Sequence, residues 1–400
     1  MAVFRRVRTV GGIAVMESYS EGPSMGRARK ENMMLSSRKG FGSVVVLILV
    51  VLAQSVAMAL TPDEAVDLLA TRLDQSQIKE GDERGLWPDE VLFLGPTTAG
   101  MACAYDWTGD PAYRAAAELA GDWIFWASVA QGNLFGDEAY AFVRLSEISE
   151  DPNDNVWRNA LVDFYLSPRK GHNEDNTGEY LEAFVGLEPS TAVYYLAHHL
   201  VAADYVKDQD AELYRKALIG HLYQVSDAAS FPIMALGVAT WALAVTDTPA
   251  DLPIFAGGVV RNPYWEGMTV GDLPGLLAGH QVPEGELFAG SFYWRFDHTD
   301  GGTGGVVCGY TEDAIFGALG LVAAASKNTA EAVEEIDSAI GAVQAVLLQG
   351  IGERGQVYEH VARQGVTYHT FAGEMLKALW DIERYLGRDA LVADASAEQE

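Results

Sequence analysis

The sequence is poor in cysteine, in positive charge and in any signature that names a reaction. Cys103 and Cys308 are the only cysteines in 400 residues, which excludes a disulfide framework and a cysteine-rich zinc site. Both lie in apolar surroundings, "GMACAY" and "GVVCGY", which favours buried free thiols over the single disulfide that export would permit. Lysine and arginine number 27 against 56 aspartates and glutamates, a formal net charge of −29. Such a chain repels polyanions at long range, so nucleic acid is not an expected partner. There is no phosphate loop, dinucleotide-binding fingerprint or nucleophile elbow. Beyond one apolar run near the start, no stretch is long enough to span a bilayer.

That run organises the N-terminus. Residues 1–32 show no apolar periodicity and read as an upstream extension or a misassigned start. Residues 33–59 read as a signal peptide: Arg38 and Lys39 form the basic flank, Val44 to Ala53 the apolar centre, and Ala57-Met58-Ala59 the small-residue exit. Cleavage is expected before Leu60, giving a secreted or periplasmic protein with no stable membrane span; an uncleaved anchor is the alternative. Residues 1–59 hold eight of the basic and three of the acidic residues, so the remainder carries 19 against 53. A charge of that size bears on solubility and partners, not on fold. The main domain is expected over 60–388, as a monomer, with an acidic tail over 389–400.

What is present in quantity is helix, in pairs. "PTTAGMACAYDW" turns at "TGDP" into "AYRAAAELAGDWIFWA", and "DEAYAFVRLSEISE" turns at "DPND" into "NVWRNALVDFYL". "TAVYYLAHHLVAADYV" and "EDAIFGALGLVAAA" begin two further pairs. The turns use cap and N1 residues, Pro111 among them. In each pair the first helix is apolar or small nearly all round, and the second carries one apolar stripe. Residues 231–246 and 369–386 add two more helices of the first kind, making six inner helices. Six buried helices with outer partners favour a closed ring over an open superhelix or a plain bundle. The expected fold is therefore all-α, a closed (α/α)6 toroid. A loop insertion rich in Gly, Pro and aromatics interrupts it at 251–309, with a short strand over Phe292–Phe296 and a short helix around Leu273–Leu277.

Over about residues 62–386 this hairpin repeat resembles the six-hairpin α/α-toroid superfamily, which includes inverting glycosidases and polysaccharide lyases. The resemblance implies a substrate cleft at the N-terminal ends of the inner helices. Those ends carry Trp87-Pro88-Asp89-Glu90, Asp137-Glu138, Glu188 with Ser190, Ser226-Asp227 with Ser230, Tyr310-Thr311-Glu312-Asp313, and Tyr368-His369. Acids and aromatics together suit a carbohydrate.

A single acid at a helix start is usually a cap. A doublet leaves one acid over, and the doublets Asp137/Glu138 and Glu312/Asp313 fall on the second and fifth inner helices, opposite one another in a ring of six. With neighbouring helices about 8–10 Å apart and side chains reaching inward about 5–6 Å, the gap is on the order of 6–10 Å. That overlaps the carboxyl separation of an inverting glycosidase. Asp137, Glu138, Glu312 and Asp313 are thus the catalytic candidates, with Trp87, Asp89, Trp294 and Tyr310 against the substrate. The rival reading is a lyase, using Arg295 to neutralise a uronate and His298, Tyr368 or His369 as base; against it, Arg295 has Asp297 and Asp300 for partners. A non-catalytic toroid binding glycan or protein through the same cleft is the third. No cofactor or metal is expected, although one calcium in "HNEDNTGEY" (172–180) or "DHTDGG" is the alternative to solvated turns. His198-His199 read as core histidines.

Overall fold

The computed structural model describes residues 6–10, 13–17, 60–88, 94–131, 134–150, 155–166, 184, 186–255, 262–302, 305–327, 333–367 and 369–387, with 6–10, 13–17 and 333–336 described in backbone only. The chain divides into two compact units, Met1–Ala59 and Leu60–Glu400. In the first, β1 (Arg6–Val10) pairs antiparallel with β2 (Ile13–Glu17), Val10 opposite Ile13; the reading of 1–32 did not anticipate this hairpin. The apolar run proposed as a signal peptide, the loop at 172–180 and the acidic tail lie outside the described residues.

The second unit is built of twelve described α-helices. The outer ones are α1 (Pro62–Ser76), α3 (Pro111–Ala127), α5 (Val156–Leu166), α7 (Ala211–Leu222), α9 (Leu273–Gly279) and α11 (Val333–Gln349). The inner ones are α2 (Leu94–Thr108), α4 (Gly136–Glu147), α6 (Pro189–Tyr205), α8 (Pro232–Val245), α10 (Thr311–Lys327) and α12 (His369–Leu386). Each inner helix packs on the next and α12 packs back on α2, so the ring is closed. α1 lies against both α2 and α12 at the closure.

Composition explains the division of labour. α8, "PIMALGVATWALAV", is buried from Pro232 through Leu243, as a helix apolar on every side must be. α1 buries only Ala65, Val66, Leu69, Ala70 and Leu73, one stripe at helical spacing. Small residues let the inner helices come close: a Cβ on Gly373 would lie 2.5 Å from the Pro96 carbonyl oxygen, and one on Gly136 2.0 Å from that of Tyr195. Caps follow the local chemistry. Thr61 and Glu64 form a reciprocal box at the start of α1, and Asp110 accepts the Ala112 N–H before Pro111-led α3.

One local expectation needs correction. Phe292–Phe296 is not a strand: Phe292 and Tyr293 form isolated bridges to Gln281 and Cys308, because aromatic packing, including Tyr264 stacked 4.3 Å from Phe296, holds the segment. A hairpin, β3 (Tyr358–His360) with β4 (Gln364–Val366), appears after α11 instead, and His360 bridges to Tyr310. α9 fills the expected short outer position. Cys103 and Cys308 are both buried and free; burial pushes the Cys103 thiol up to about 11. Among the described residues no helix is long and apolar enough to cross a membrane.

Candidate active site

The two acidic doublets sit where the ring order places them, at the first turns of α4 and α10. In each, the two carboxyls have different work. Glu138 Oε2 accepts the Phe135 N–H at 3.1 Å, closing the start of α4. Burial, then the neighbouring Asp137, pushes the Glu138 carboxyl up to about 8. Asp137 is 3% exposed and its Oδ1 accepts the Glu138 N–H at 2.9 Å. Burial lifts it to about 7. Glu138 closes the helix start, and Asp137, which also accepts a backbone N–H, is the carboxyl of the pair that faces the bore.

In the second doublet the cap is non-local. Phe231 gives the N-terminus of α8 no side-chain cap, and Asp313 accepts the Met234 N–H from the neighbouring helix α10. Four N–H groups at a helix start need such partners. Asp313 is 5% exposed, and burial followed by the Glu312 charge raises it well above the usual carboxylate range. Glu312 has no hydrogen-bond partner among the described residues, and burial alone pushes it up to about 7. Glu312 is therefore the unspent acid on this side. Each doublet supplies one anchor and one spare carboxyl.

Asp137 faces a chamber in the bore, lined also by Tyr140, Tyr194, His198, Glu374 and Lys377, with a volume of about 10 Å³. That is room for about one water. Tyr194 donates to Glu374 Oε1 at 3.2 Å, and His198 Nδ1 lies 2.8 Å from the Tyr194 carbonyl oxygen. Burial lowers His198 to about 3, so its imidazole is neutral. Lys377 closes the chamber below, 3.3 Å from Asp381 and 4.1 Å from the Trp241 ring centre; burial lowers its ammonium, and Asp381 opposes that. Glu374 and Lys377 were missed in the sequence. Their signal is faint but present: Glu374, Lys377 and Asp381 recur at helical spacing on one side of a helix whose other inward positions are apolar.

The rest of the mouth is braced. Glu188 accepts N–H bonds from Thr191 and Ser230, and Ser190 Oγ accepts the Phe231 N–H. Asp227 accepts the Phe296 N–H at 2.7 Å. Arg295 forms a two-pronged pair with Asp297, at 3.0 and 2.9 Å, and donates to the Asp227 carbonyl oxygen. Trp294 lies half-buried beside that guanidinium. His298 Nε2 is 2.8 Å from His280 Nδ1, and its ring stacks on Tyr293 at 4.0 Å. The cation and imidazole of the lyase reading are thus engaged in holding the loop.

Trp87 is not a stacking wall. It is 0% exposed and its indole N–H donates to the Leu73 carbonyl, so its hydrophobic area is spent in the core. Tyr310 is 37% exposed with His360 edge-on to it, and half-buried His369 opens α12. Asp89 and Tyr368 lie outside the described residues. Among the described residues no group of three metal-ligating side chains converges.

No family model and no curated protein matches the sequence. Solved structures do. A polysaccharide lyase is 13% identical with a TM-score of 0.51, over 82% of this chain and 98% of that one. The unsaturated glucuronyl hydrolase of Bacillus sp. GL1, described as responsible for the degradation of glycosaminoglycan, is 15% identical with a TM-score of 0.50, over 81% and 97%. An unsaturated glucuronyl hydrolase specific for heparin is 10% identical with a TM-score of 0.52, over 81% and 96%. At these identities the likeness is one of fold: the chain shares the α/α-toroid fold of these structures.

Proposed function

We propose that this is a secreted or periplasmic, monomeric glycoside hydrolase acting at the N-terminal mouth of the toroid on a neutral or weakly charged glycan. The observation that carries the reading is the pair of spare carboxyls, Asp137 and Glu312, on opposite inner helices, both pushed to about 7 by burial. Two groups raised to about 7 are each divided between protonated and ionised forms near neutral pH, which is what paired acid and base catalysis needs. Asp137, beside a chamber sized for one water, takes a proton from that water as it attacks the anomeric carbon. Glu312, the more open of the two, gives its proton to the departing glycosidic oxygen. The C–O bond breaks with inversion, and exchange with solvent restores both groups. Glu138 and Asp313 act as positioning residues through the helix starts they close.

Neighbours of the same fold named as a glucuronyl hydrolase and a polysaccharide lyase support carbohydrate as the substrate class, and the net charge of −29 argues against a polyanionic chain. The test is product mass after incubation with a panel of neutral and uronate glycans. Fragments heavier by one water, lost in Asp137→Asn and Glu312→Gln while the fold persists, support hydrolysis. Unsaturated fragments without added water make the protein a lyase, and binding without cleavage makes it a recognition protein.

A further inference from the structure

A second cavity, of about 380 Å³, opens at the other end of the ring, where α8, α10 and α12 finish. It belongs to neither the mouth nor the water-sized chamber. Its walls among the described residues are Trp241, Val245, Val322, Ala323, Trp380 and Tyr385, all apolar or aromatic. Polar groups gather at Ser326, Lys327, Asp381 and Arg384. A few polar heads around an apolar body is the composition of a small-molecule site, and the volume lies within the usual range of about 300–1,000 Å³.

The charges select the ligand. In a chain of net charge −29, two of the four polar groups at this cavity are cations. Lys327 and Arg384 fall in the last turns of α10 and α12, where they offset the helix dipoles. Helix ends account for the cations but not for the cavity. Lys327 pairs with Asp247 in an exposed ion pair, an interaction worth little and readily exchanged for another anion. Arg384 lies 4.4 Å over the Trp380 ring, beside an aromatic wall and within electrostatic reach of Glu147. Asp381 is engaged by Lys377 at 3.3 Å, which tempers the one lining carboxylate. An apolar body would rest on Trp241, Trp380 and Val322, with an anionic head at Lys327 and Arg384; the Ser326 hydroxyl already donates to the Val322 carbonyl oxygen at 2.8 Å.

We infer that this far-end cavity is a binding site for a small amphipathic monocarboxylate, with an aromatic or aliphatic body and one charged head. The site stands whether or not the mouth hydrolyses glycans. The probe is 2-naphthoate, followed by titration calorimetry and tryptophan emission on the whole chain, with 2-naphthylmethanol and acetate as partial ligands. Saturable binding of naphthoate is expected, with the alcohol and acetate each at least about tenfold weaker. Arg384→Gln, an exposed change, should weaken naphthoate about tenfold, and Ser326→Trp should fill the cavity and abolish binding. Glu312→Gln at the mouth should leave binding unchanged. The inference is overturned if naphthoate does not saturate at millimolar concentration. It is also overturned if Arg384→Gln binds as the parent does, or if Glu312→Gln is the variant that loses binding.

Discussion

Replacing Asp137 by Asn should stabilise the protein at alkaline pH while abolishing turnover. An unfolded chain loses this proton through its ordinary 3.8, whereas the folded chain holds it to about 7. Between those values the folded state binds more protons, so stability falls as pH rises and levels off above about 7. Moving the carboxyl that far corresponds to about 4 kcal/mol at 1.36 kcal/mol per tenfold change, a ceiling because water admitted on ionisation softens the burial. Asn keeps the shape and can accept the same Glu138 N–H, yet has no proton to lose. Urea unfolding of both proteins at pH 4 and pH 8 measures the effect. The difference should be small at pH 4 and about 2–4 kcal/mol in favour of Asn at pH 8. Equal stability at both pH values, or a loss at both, would refute the assignment of Asp137 as a carboxyl whose burial outweighs its backbone hydrogen bonds.

Four further expectations follow from the site and the packing. With Asp137 and Glu312 both near 7, kcat/KM should follow a narrow bell peaking close to neutral pH; a plateau from pH 5 to 9 would remove one of the two from the reaction. Trp87→Ala should cost about 3–5 kcal/mol in unfolding free energy with KM unchanged, since the side chain is wholly in the core; a raised KM in a stable variant would return it to the substrate. Gly373→Ala should destabilise by about 1–3 kcal/mol, because its Cβ meets backbone of α2. Gly341→Ala in the outer helix α11, where a Cβ meets nothing within 4 Å, should instead gain roughly 0.5–1 kcal/mol. Comparable melting temperatures for those two variants would contradict the close packing at the ring closure.

Periodicity made the ring legible. A helix such as α8 has no polar face to offer solvent, so it must lie inside others, and six of them alternating with striped helices leave few arrangements besides a closed toroid. The helix starts, and with them the doublets, were legible for the same reason. Which acid of a doublet is spent was not, because the answer for Asp313 depends on Met234, a residue 79 positions away whose N–H it accepts. Trp87 misled because an aromatic beside a helix start reads alike whether it faces a cleft or a core; only the Leu73 carbonyl decides. The alternation in "FYWRF" suggests a strand, yet ring stacking and the Arg295–Asp297 pair set the backbone there. The β3–β4 hairpin turns over Val361–Arg363, with Arg363 at positive φ, and "VAR" carries no strong turn signal.

The bore itself argues for one-ended chemistry. Trp241 lines the far-end cavity, while Tyr140 and His198, which line the water-sized chamber, pack on it at 5.2 and 5.0 Å. Lys377 fills the space between, held by Asp381 and by the Trp241 and Tyr140 rings. These side chains plug the ring at mid-height, so no polymer threads through it. On the proposed reading a substrate at the mouth would enter and leave by the same side, and a ligand at the far end would not meet Asp137. Yet the plug is thin: Lys377 touches the chamber beside Asp137 directly and, through Asp381, the far cavity. Drawing Asp381 away from Lys377 would leave a buried ammonium with less compensation beside Glu374 and His198, and such a group sheds its proton more readily. The two ends are separate as spaces and joined by one ion pair.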